Sequence, residues 1–526
     1  MPTDCIEYLN TKYFSEIIND YLKQNIEFSK FYNRFPSIEN FKSQIDEKSL
    51  NFSSDIRAIL QSDLQKQSID LQISDLSQSN INLLGNNSTF TITTGHQLNI
   101  FTGPIYFLYK IVSTINLCKQ LKETYPNFDF VPVYWMATED HDFDEISYFN
   151  LNNKKIRWNK NASGAVGRLD TEGLDAIYQL LENELGIGKT AEYLKTLFQK
   201  SYLAHKNLAD ATRFLVNELF GSYGLVIIDG DSPVLKSIFT KTIKSELVNN
   251  DSFRLVNETI SEFKNYKVQV NPREINLFFI ENGLRERIIF DGNNYQINNT
   301  NRFFTEKEIL ALVDSNPEKF SPNVILRPLY QETILPNLCY IGGGGELAYW
   351  FELKSMFEFH KTAFPILLLR DSVLIVSKKQ TDKMHKLNLS FADLFLSQND
   401  LINSKVNLLI DYKIDFYEQK IFLEQQFNKL FEIAKQTDKS FANAVLAQQK
   451  KQTNGLSHLE KRFLKAQKRK HSEFLLQTSS LQNDLFPNQS LQERYCNFAQ
   501  FYDDNFIKQL IFKLSPLDFC FKIIKQ

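Results

Sequence analysis

The sequence contains few cysteines, glycines and prolines, and it lacks any long apolar run. Its 526 residues include five Cys, 18 Gly and 14 Pro. The cysteines are scattered without a Cys-x-x-Cys pair, so we expect neither a zinc ribbon nor a disulfide framework. No apolar stretch approaches the ~20 residues that span a bilayer, and the N-terminus lacks the basic-then-apolar order of a signal peptide. These absences predict a soluble, cytoplasmic protein with no membrane partner.

An excess of charge of one sign is also lacking. Lys and Arg total 60 against 62 Asp and Glu, which leaves a net charge of −2. Such a balance gives no overall attraction to nucleic acid, so we expect no nucleic-acid partner. Hydrophobic residues make up 43% and charged residues 23% of the chain, which is typical of a globular protein. The length allows about two to four domain-sized units.

A strand–helix–strand pattern begins near residue 90. The β-branched run Phe90–Thr94 ends at Gly95, and an apolar-periodic helix is predicted from Ile105 to Lys122. A second apolar strand, Phe130–Met136, follows it. A βαβ unit of this kind predicts a parallel sheet.

Strands of the same kind recur at Gly224–Ile228 and Pro365–Leu369, so we interpret the segments between them as two insertions into one sheet. The second insertion has strand-like runs on both sides of Asp291-Gly292, a pair typical of a hairpin turn. The predicted organisation is an N-terminal helical segment of the core (1–85), a first half of the α/β core (86–150), a first insertion (151–220), a return strand (221–245), a second, β-rich insertion (246–320), a second half of the core (321–387), a helical arm (388–486) and a C-terminal helical segment packing on the core (487–526).

The arm carries apolar residues at alternating spacings of four and three from Leu423 to Ala444, and the pattern restarts at Leu459. Because Thr453-Asn454-Gly455 separates the two stretches, the pattern predicts an antiparallel coiled-coil hairpin that turns at these residues. The alternative is a pair of helices packed flat on the core.

The densest group of chemically active residues directly follows the strand that ends at Met136. Ligands of parallel sheets bind beyond the carboxyl ends of the strands, and crowded carboxylates need cations, amines or hydrogen bonds around them. The alternative is a solvated acidic loop that caps the next helix. The candidate residues are Trp135, Glu139, Asp140, His141, Asp142 and Asp144. Without a second His or Cys at ligand spacing, we expect no firm metal site here.

The turn after the first strand is a second candidate. A glycine lets the backbone approach a ligand, and the following helix N-terminus offers free amides to an anion. The alternative for the histidine is a structural residue with its hydrogen bonds satisfied inside the fold. The candidate residues are Thr94, Gly95, His96, Gln97, Thr102 and Gly103, of which the last two shape the helix entry.

A third group lies far downstream. An arginine before a proline is conformationally restricted and suits a carboxylate or phosphate, and four consecutive glycines predict a loop with close ligand approach. The alternative is a flexible surface loop. The candidate residues are Arg327, Gln331, Glu332, Gly342, Gly343, Gly345, Glu346, Tyr349 and Trp350. No Gly-x-Ser-x-Gly motif is present, so nothing supports nucleophilic catalysis.

Taken in order, Thr94–Pro104, Trp135–Ile146, Arg327–Glu332 and Ile341–Lys354 resemble the BshC family of bacillithiol biosynthesis. The resemblance runs through nearly the whole chain, including the arm and the Gln492-Glu493-Arg494 segment. It departs at one glycine, Gly344, where family members often carry Pro.

The resemblance implies an α/β fold with a Rossmann-like parallel-sheet core similar to class I aminoacyl-tRNA synthetases and nucleotidylyltransferases, two connective insertions, and an antiparallel coiled-coil arm that forms a homodimer. It also implies a ligase that joins the cysteine carboxylate to the amine of glucosaminyl-malate in the last step of bacillithiol biosynthesis. Gly95-His96 keeps only part of the His-x-Gly-His synthetase signature.

An amide forms only from an activated carboxylate, which implies ATP or another adenine nucleotide with magnesium. Under this hypothesis, His96 and the acidic and histidine residues from Glu139 to Asp144 are catalytic, and the remaining candidates bind substrate or nucleotide. The alternatives are a nucleotidylyltransferase acting on another small molecule and a non-catalytic coiled-coil scaffold.

Overall fold

The structure is a computed structural model that describes residues 4–264, 266–410 and 415–526. The chain forms two compact units, the first ending at Ile375 and resuming over Leu491–Ile524, the second comprising Val376–Ser490 and the last two residues. Small parts of the predicted N-terminal segment (1–3), second insertion (265) and arm (411–414) lie outside the described residues.

The described strands supply both a parallel sheet and several antiparallel ones. They are β1 (Asp4–Glu7), β2 (Thr89–His96), β3 (Asp129–Met136), β4 (Tyr148–Leu151), β5 (Lys154–Arg157), β6 (Val226–Asp229), β7 (Leu277–Glu281), β8 (Leu284–Phe290), β9 (Tyr295–Ile297), β10 (Arg302–Phe304), β11 (Phe320–Pro322), β12 (Asn337–Gly342), β13 (Ile366–Leu369), β14 (Ser372–Val376) and β15 (Cys520–Lys525).

The central sheet of the first unit has the order β13-β12-β2-β3-β6, and all of its neighbouring strands are parallel. The first of these strands in the chain, β2, lies in the middle, and the strand order reverses between β2 and β12. This is the doubly wound arrangement of a Rossmann-like core, in which ligands bind outside the carboxyl ends of the strands at the point of reversal. Every residue of β2 is buried, as expected for a parallel strand covered on both faces.

The first unit also contains many α-helices. In chain order they are α1 (Tyr8–Thr11), α2 (Glu16–Leu22), α3 (Ile38–Asn51), α4 (Ser54–Gln67), α5 (Asp75–Leu83), α6 (Tyr106–Thr124), α7 (Phe143–Ile146), α8 (Leu174–Leu185), α9 (Lys189–Phe198), α10 (Leu208–Phe220), α11 (Pro233–Ile238), α12 (Thr240–Asn249), α13 (Asp251–Ser261), α14 (Glu306–Ser315), α15 (Leu326–Ile334), α16 (Gly344–Trp350) and α17 (Lys354–Phe359). The predicted helix after the first strand is α6, and its apolar stripe is buried in the main core with Tyr134 and Met136 of β3.

The second insertion contains an antiparallel sheet of order β10-β9-β8-β7-β11. The predicted hairpin at Asp291-Gly292 is present, because β8 and β9 pair antiparallel on either side of it. The Asp291 carboxylate accepts the backbone N–H groups of Asn293 and Asn294, which stabilises the turn.

The second unit is helical. It contains α18 (Lys378–Lys386), α19 (Phe391–Leu394), α20 (Gln398–Leu408), α21 (Tyr417–Ala434), α22 (Lys439–Lys470) and α23 (Ser472–Leu485), and the chain then returns to the first unit with α24 (Gln492–Tyr495) and α25 (Phe506–Lys513). The antiparallel pairing of α21 and α22 is confirmed, because Lys420 near the start of α21 forms an ion pair with Glu460 in the second half of α22, at 2.6 Å. The predicted turn at Thr453–Gly455 is wrong.

That turn lies instead between α21 and α22, where the Asp438 side chain accepts the N–H of Phe441 and begins the longer helix. A glycine inside a helix costs only about 1 kcal/mol relative to Ala. A helix of 32 residues therefore continues through Gly455.

Two further expectations fail at the chain ends and at the glycine run. The predicted helical terminal segments also contain β1 and β15, which pair antiparallel, and Cys5 forms a disulfide with Cys520 across them. This pairing is invisible in the sequence because 515 positions separate the two cysteines. The four glycines do not form a loop, since β12 ends at Gly342 and α16 begins at Gly344.

Gly342 is tightly packed, because a Cβ there would lie 2.8 Å from Cδ1 of the buried Leu347.

Among the helices of the described residues, none is long and apolar enough to cross a membrane.

Candidate active site

A cavity of about 1060 Å³ opens at the carboxyl ends of the parallel strands, within the first unit. Its lining includes the residues that follow β2, β3, β12 and β13, together with residues of the second insertion. The cavity therefore lies where the strand order reverses, the expected ligand site of a sheet with this order.

All three groups of predicted site residues contribute to this cavity. The candidates that line it are Gly95, His96, Gln97, Trp135, Glu139, Asp140, His141, Arg327, Gly343, Gly345, Glu346 and Tyr349. Segments separated by some 200 positions thus meet because β2 and β12 are neighbours in the sheet.

The other candidates do not line the cavity, and their contacts are structural. They are Thr94, Thr102, Gly103, Asp142, Asp144, Gln331, Glu332, Gly342 and Trp350. The Asp144 side chain is 81% exposed and forms an ion pair with Arg157, while Asp142 caps α7 by accepting the N–H of Glu145.

The buried members of this group tie elements of the core together. Thr94 donates its hydroxyl to the Ile341 carbonyl at 2.7 Å, which links β2 to β12. Thr102 is buried and Gly103 accepts a hydrogen bond from Asn497 at its carbonyl. Trp350 is fully buried and stacks on Tyr340, with the ring centroids 4.6 Å apart.

Glu332 is a buried hydrogen-bond acceptor that lies outside the cavity lining and is linked to it through Gln331. It accepts hydrogen bonds from Gln331 at 2.9 Å and Asn337 at 2.7 Å, and the Lys48 ammonium lies 3.3 Å from its carboxylate. The Gln331 side chain in turn accepts from NH1 of Arg327 at 2.9 Å. Lys48, Glu332 and Gln331 therefore form a buried chain that orients Arg327.

His96 ends β2 at the centre of the reversal and is almost fully buried. Burial lowers its pKa well below the ordinary value, and the neighbouring Lys110 and Arg370 cations lower it further. The imidazole is therefore neutral near pH 7. Its Nε2 is buried and makes no hydrogen bond with any of the described residues.

Lys110 and Glu346 join the first turn to α16. The Lys110 ammonium lies 2.5 Å from the Glu346 carboxylate and donates to the Gly95 carbonyl at 2.7 Å. Glu346 also accepts the N–H of Gly343 at 2.8 Å and the hydroxyl of Tyr340 at 2.7 Å. Burial opposes ionisation of Glu346, but Lys110 and these donors outweigh it and hold the pKa below its usual range.

Arg370 follows β13 and reaches the same edge of the sheet. Its NH2 donates to the Glu493 carboxylate at 2.8 Å, and Glu493 also accepts the N–H of Val373 at 2.9 Å. Its guanidinium lies 4.8 Å from the centroid of the Tyr106 ring. Both charges of this pair are buried and compensate each other.

Glu139 is held by a second buried ion network. The Lys236 ammonium lies 2.6 Å from Glu139 and 2.9 Å from Asp231, and Arg168 lies 2.8 Å from Asp231. Burial would lower the pKa of Lys236, but the two carboxylates raise it overall. Lys236 is therefore charged and forms an ion pair with Glu139.

The Asp140 carboxylate is fixed at the cavity edge by hydrogen bonds. It accepts from Gln97 at 2.8 Å and from the N–H of His141 at 2.7 Å. Gln97 also donates to Glu145 at 2.7 Å, so one amide holds two cavity carboxylates. This arrangement suits an ammonium or amine ligand, which would donate to both.

Arg285 and Arg327 have no contacting carboxylate among the described residues, and the same holds for the other lining arginines Arg273, Arg287 and Arg494. Arg327 donates to Gln331 and, at 3.3 Å, to the Tyr349 hydroxyl. Arg285 lies 2.6 Å from Nδ1 of His141 and donates to Ser321 at 3.2 Å. Across residues 4–264, 266–410 and 415–526, no carboxylate oxygen lies within 4.0 Å of either guanidinium.

The cavity lining has seven Lys or Arg against four Asp or Glu, so its balance favours anionic ligands. Sequence reasoning missed several of these cations: Lys110, Arg273, Arg285, Arg287, Arg370 and Arg494. Only Arg370 carried a usable signal, because it directly follows a predicted parallel strand. The insertion arginines belong to no motif.

Within the part of the chain that the structure describes, no group of three or more His, Cys, Asp or Glu is placed to hold a metal ion.

Two family models match the chain in succession. Residues 1–371 match the N-terminal Rossmann-like domain of the bacillithiol biosynthesis protein BshC, and residues 373–526 match its C-terminal coiled-coil domain. These matches confirm the predicted Rossmann-like core and coiled-coil arm.

Individual relatives match over their full length or most of it. A protein of Flavobacterium psychrophilum is 58% identical and one of Flavobacterium johnsoniae 55% identical, each over 100% of both chains. A Staphylococcus aureus protein is 27% identical over 83% of this chain and 84% of its own. All three are named "Putative cysteine ligase BshC". The chain therefore belongs to the BshC family of bacillithiol biosynthesis.

Proposed function

We propose that this chain is the ligase that joins the carboxylate of cysteine to the amine of glucosaminyl-malate. The observation that carries the proposal is the cavity at the strand reversal, which combines carboxylates able to hold amines with cations that have no carboxylate partner. The names of its full-length relatives support the same reaction class.

Arg285 and Arg327 are the proposed binding groups for the two malyl carboxylates. A half-buried guanidinium without a contacting carboxylate is partly desolvated, and a bound carboxylate would compensate for this through two parallel hydrogen bonds. Gln331 and Tyr349 orient Arg327 through neutral atoms, so its charge remains available to the ligand.

Asp140 is the proposed acceptor for the proton that the attacking amine loses. Its carboxylate is oriented by Gln97 and lies at the cavity edge. Glu139 forms an ion pair with Lys236 and is the proposed group that attracts the cysteine ammonium. Placing the two amines near carboxylates and the malyl group near arginines would fix the relative orientation of the substrates.

We further propose that an adenine nucleotide, with ATP as the first choice, activates the cysteine carboxylate. ATP bound here would supply the leaving group that makes the carboxylate reactive. The residues present fit an anionic phosphate: His96 lines the cavity and its buried Nε2 has no hydrogen-bond partner among the described residues, and a Cβ at Gly345 would meet no atom within 4 Å, so the backbone there is open. Magnesium would be held through the phosphates and one or two cavity carboxylates.

The test is a reconstituted reaction with cysteine, glucosaminyl-malate, ATP and magnesium, followed by mass spectrometry of the thiol product and of AMP and ADP. We expect a product that requires all the substrates. Asp140→Asn should lower its formation on the order of 100-fold, while the matched Asp144→Asn change, outside the cavity, serves as the control. Pyrophosphate release that needs no cysteine would instead support a nucleotidylyltransferase, and equal turnover of both variants would contradict the assignment of Asp140.

We also propose a homodimer formed through the arm. The pair of helices α21 and α22 exposes large apolar side chains, among them Phe422, Ile433 and Phe441. Burial of such residues between two copies would remove apolar surface from water. Changing Phe422 and Ile433 to Lys should convert a dimer to a monomer in light scattering, and an unchanged mass would contradict this interface.

A further inference from the structure

His141 and Arg285 come from distant parts of the chain and meet at the cavity edge. His141 follows β3, whereas Arg285 belongs to β8 of the second insertion. NH1 of Arg285 lies 2.6 Å from Nδ1 of His141. Phe278 of β7 contacts both, with its ring centroid 4.0 Å from the guanidinium carbon and 5.4 Å from the imidazole centroid.

The chemistry of the two groups fixes the direction of this hydrogen bond. A guanidinium has donors only, so Nδ1 of His141 must accept. A neutral imidazole that accepts at Nδ1 carries its proton on Nε2. Burial and the Arg285 charge hold the pKa of His141 below its ordinary value, which favours the neutral ring.

The orientation of the Arg285 guanidinium does not depend on His141 alone. Arg285 also donates through Nε to the Ser321 hydroxyl at 3.2 Å and through NH2 to the Pro322 carbonyl at 3.5 Å. Together with the Phe278 ring, these contacts hold the guanidinium from several sides, and NH1 is left directed at the imidazole.

We propose that Arg285 is a positioning residue that fixes His141 as the Nε2–H tautomer and so makes His141 a hydrogen-bond donor to a substrate oxygen. No described residue makes a hydrogen bond with Nε2 of His141, so this N–H is left for the ligand. While Arg285 is in place, protonation of His141 at Nδ1 is disfavoured. The identity of the oxygen, on the activated carboxylate or a phosphate, rests on the proposed function; the tautomer does not.

The charges around His141 make its titration sensitive to Arg285. Asp140 and Asp142 on its own segment and Glu286 on β8 raise the pKa of His141, while burial and Arg285 lower it. Protonation at Nδ1 would remove the acceptor and bring two cations into contact. Removing the Arg285 charge should therefore move the titration of His141 to higher pH.

The first test is nuclear magnetic resonance of protein labelled with 15N-histidine, in which the His141 signals are assigned by their loss in His141→Gln. Above the pKa of His141, the wild-type protein should show an unprotonated Nδ1 and a protonated Nε2. Arg285→Met should give a mixture of tautomers and a titration midpoint at higher pH. Arg302→Met is the matched control, because Arg302 is on the same insertion, lies outside the cavity lining and pairs with Glu281.

A protonated Nδ1 in the wild-type protein would overturn the proposal, as would identical titrations of wild type and Arg285→Met. The measurement needs no turnover, so it stands even if the proposed reaction fails.

A second test separates a donor from a proton acceptor in the ligase assay. The amide nitrogen of His141→Gln can replace an Nε2–H donor, whereas His141→Leu cannot. We expect His141→Leu to lose on the order of 100-fold in turnover and His141→Gln to retain most of it. The turnover of His141→Gln should also fall less at low pH than that of wild type. Equal loss in both variants would contradict the donor role.

Discussion

Two groups of cations line the same cavity and differ in how their charge is compensated. In the paired group, Lys110 forms an ion pair with Glu346 and Arg370 forms one with Glu493. In the unpaired group, Arg285 and Arg327 donate hydrogen bonds only to neutral groups. We infer that the paired ions stabilise the junctions between elements and that the unpaired arginines bind the ligand. Under this account, a binding residue is marked by the lack of a contacting carboxylate and not by its location in the cavity alone.

The largest expected effect is a loss of unfolding free energy when an ion pair of the paired group is broken. Arg370→Met leaves the buried Glu493 carboxylate without its cation, which should cost about 3–5 kcal/mol of unfolding free energy. Arg327→Met removes a cation that has no carboxylate partner and should cost no more than about 1 kcal/mol. Urea unfolding of both variants measures the difference. Equal losses of unfolding free energy would show that the paired and unpaired groups do not differ.

The next largest effect is a loss of catalytic efficiency when a cation of the unpaired group is removed. Arg327→Met should reduce kcat/KM for glucosaminyl-malate on the order of 100-fold, about 3 kcal/mol, because the malyl carboxylates lose a charged partner. The loss should appear mainly in KM. Steady-state kinetics measures it, with thermal unfolding as the check on folding and Arg302→Met as the charge control. An unchanged KM would remove Arg327 from the binding site.

A smaller effect comes from Asp229, a buried carboxylate that has no contacting cation among the described residues, just as Arg285 and Arg327 have no contacting carboxylate. Burial, and then repulsion from Asp231, raise the pKa of Asp229 from 3.8 to about 6. Because the folded-state pKa is the higher one, the unfolding free energy falls as pH rises from about 4 to 6 and stays lower above that.

Asp229→Asn keeps an acceptor for the N–H of Asp231 and removes the charge. The variant should therefore gain about 1–2 kcal/mol over wild type at pH 8 and much less at pH 4. Unfolding measured at both pH values checks the sign, and a difference that does not change with pH would refute it.

The smallest effect should come from the exposed end of the acidic segment. Asp144 pairs with Arg157 at the surface and lies outside the cavity lining. Asp144→Asn should therefore leave ligase turnover within about twofold of wild type, as expected for a surface ion pair. A loss comparable to that of Asp140→Asn would mean that the cavity does not define the site.

Sequence patterns predicted the parts of this molecule that local chemistry determines. The run from β2 to β3 was recognisable because β-branched strands, a glycine turn and an apolar-periodic helix each have a local signature. The position of Asp140 at a strand end followed from the same pattern. The helix hairpin was also predicted, although Asp438 rather than Gly455 marks its turn, because a long helix absorbs one glycine.

Features that depend on distant pairing were not predictable in the same way. Arg285 enters the cavity only because β7 and β8 bring the insertion to the sheet edge, and no motif marks it. The Cys5–Cys520 disulfide requires the pairing of β1 with β15. Asp144 resembled its neighbours in sequence, and only its place outside the cavity lining separates it from Asp140 and His141.

The contrast between the paired and unpaired groups of cavity cations is tested most directly by calorimetric titration. Glucosaminyl-malate is titrated into wild type, Arg285→Met, Arg327→Met and Arg302→Met. If the unpaired arginines hold the malyl carboxylates, each of the first two variants will bind at least about tenfold more weakly than wild type, and Arg302→Met will bind like wild type. Equal affinity in all four proteins would contradict the account.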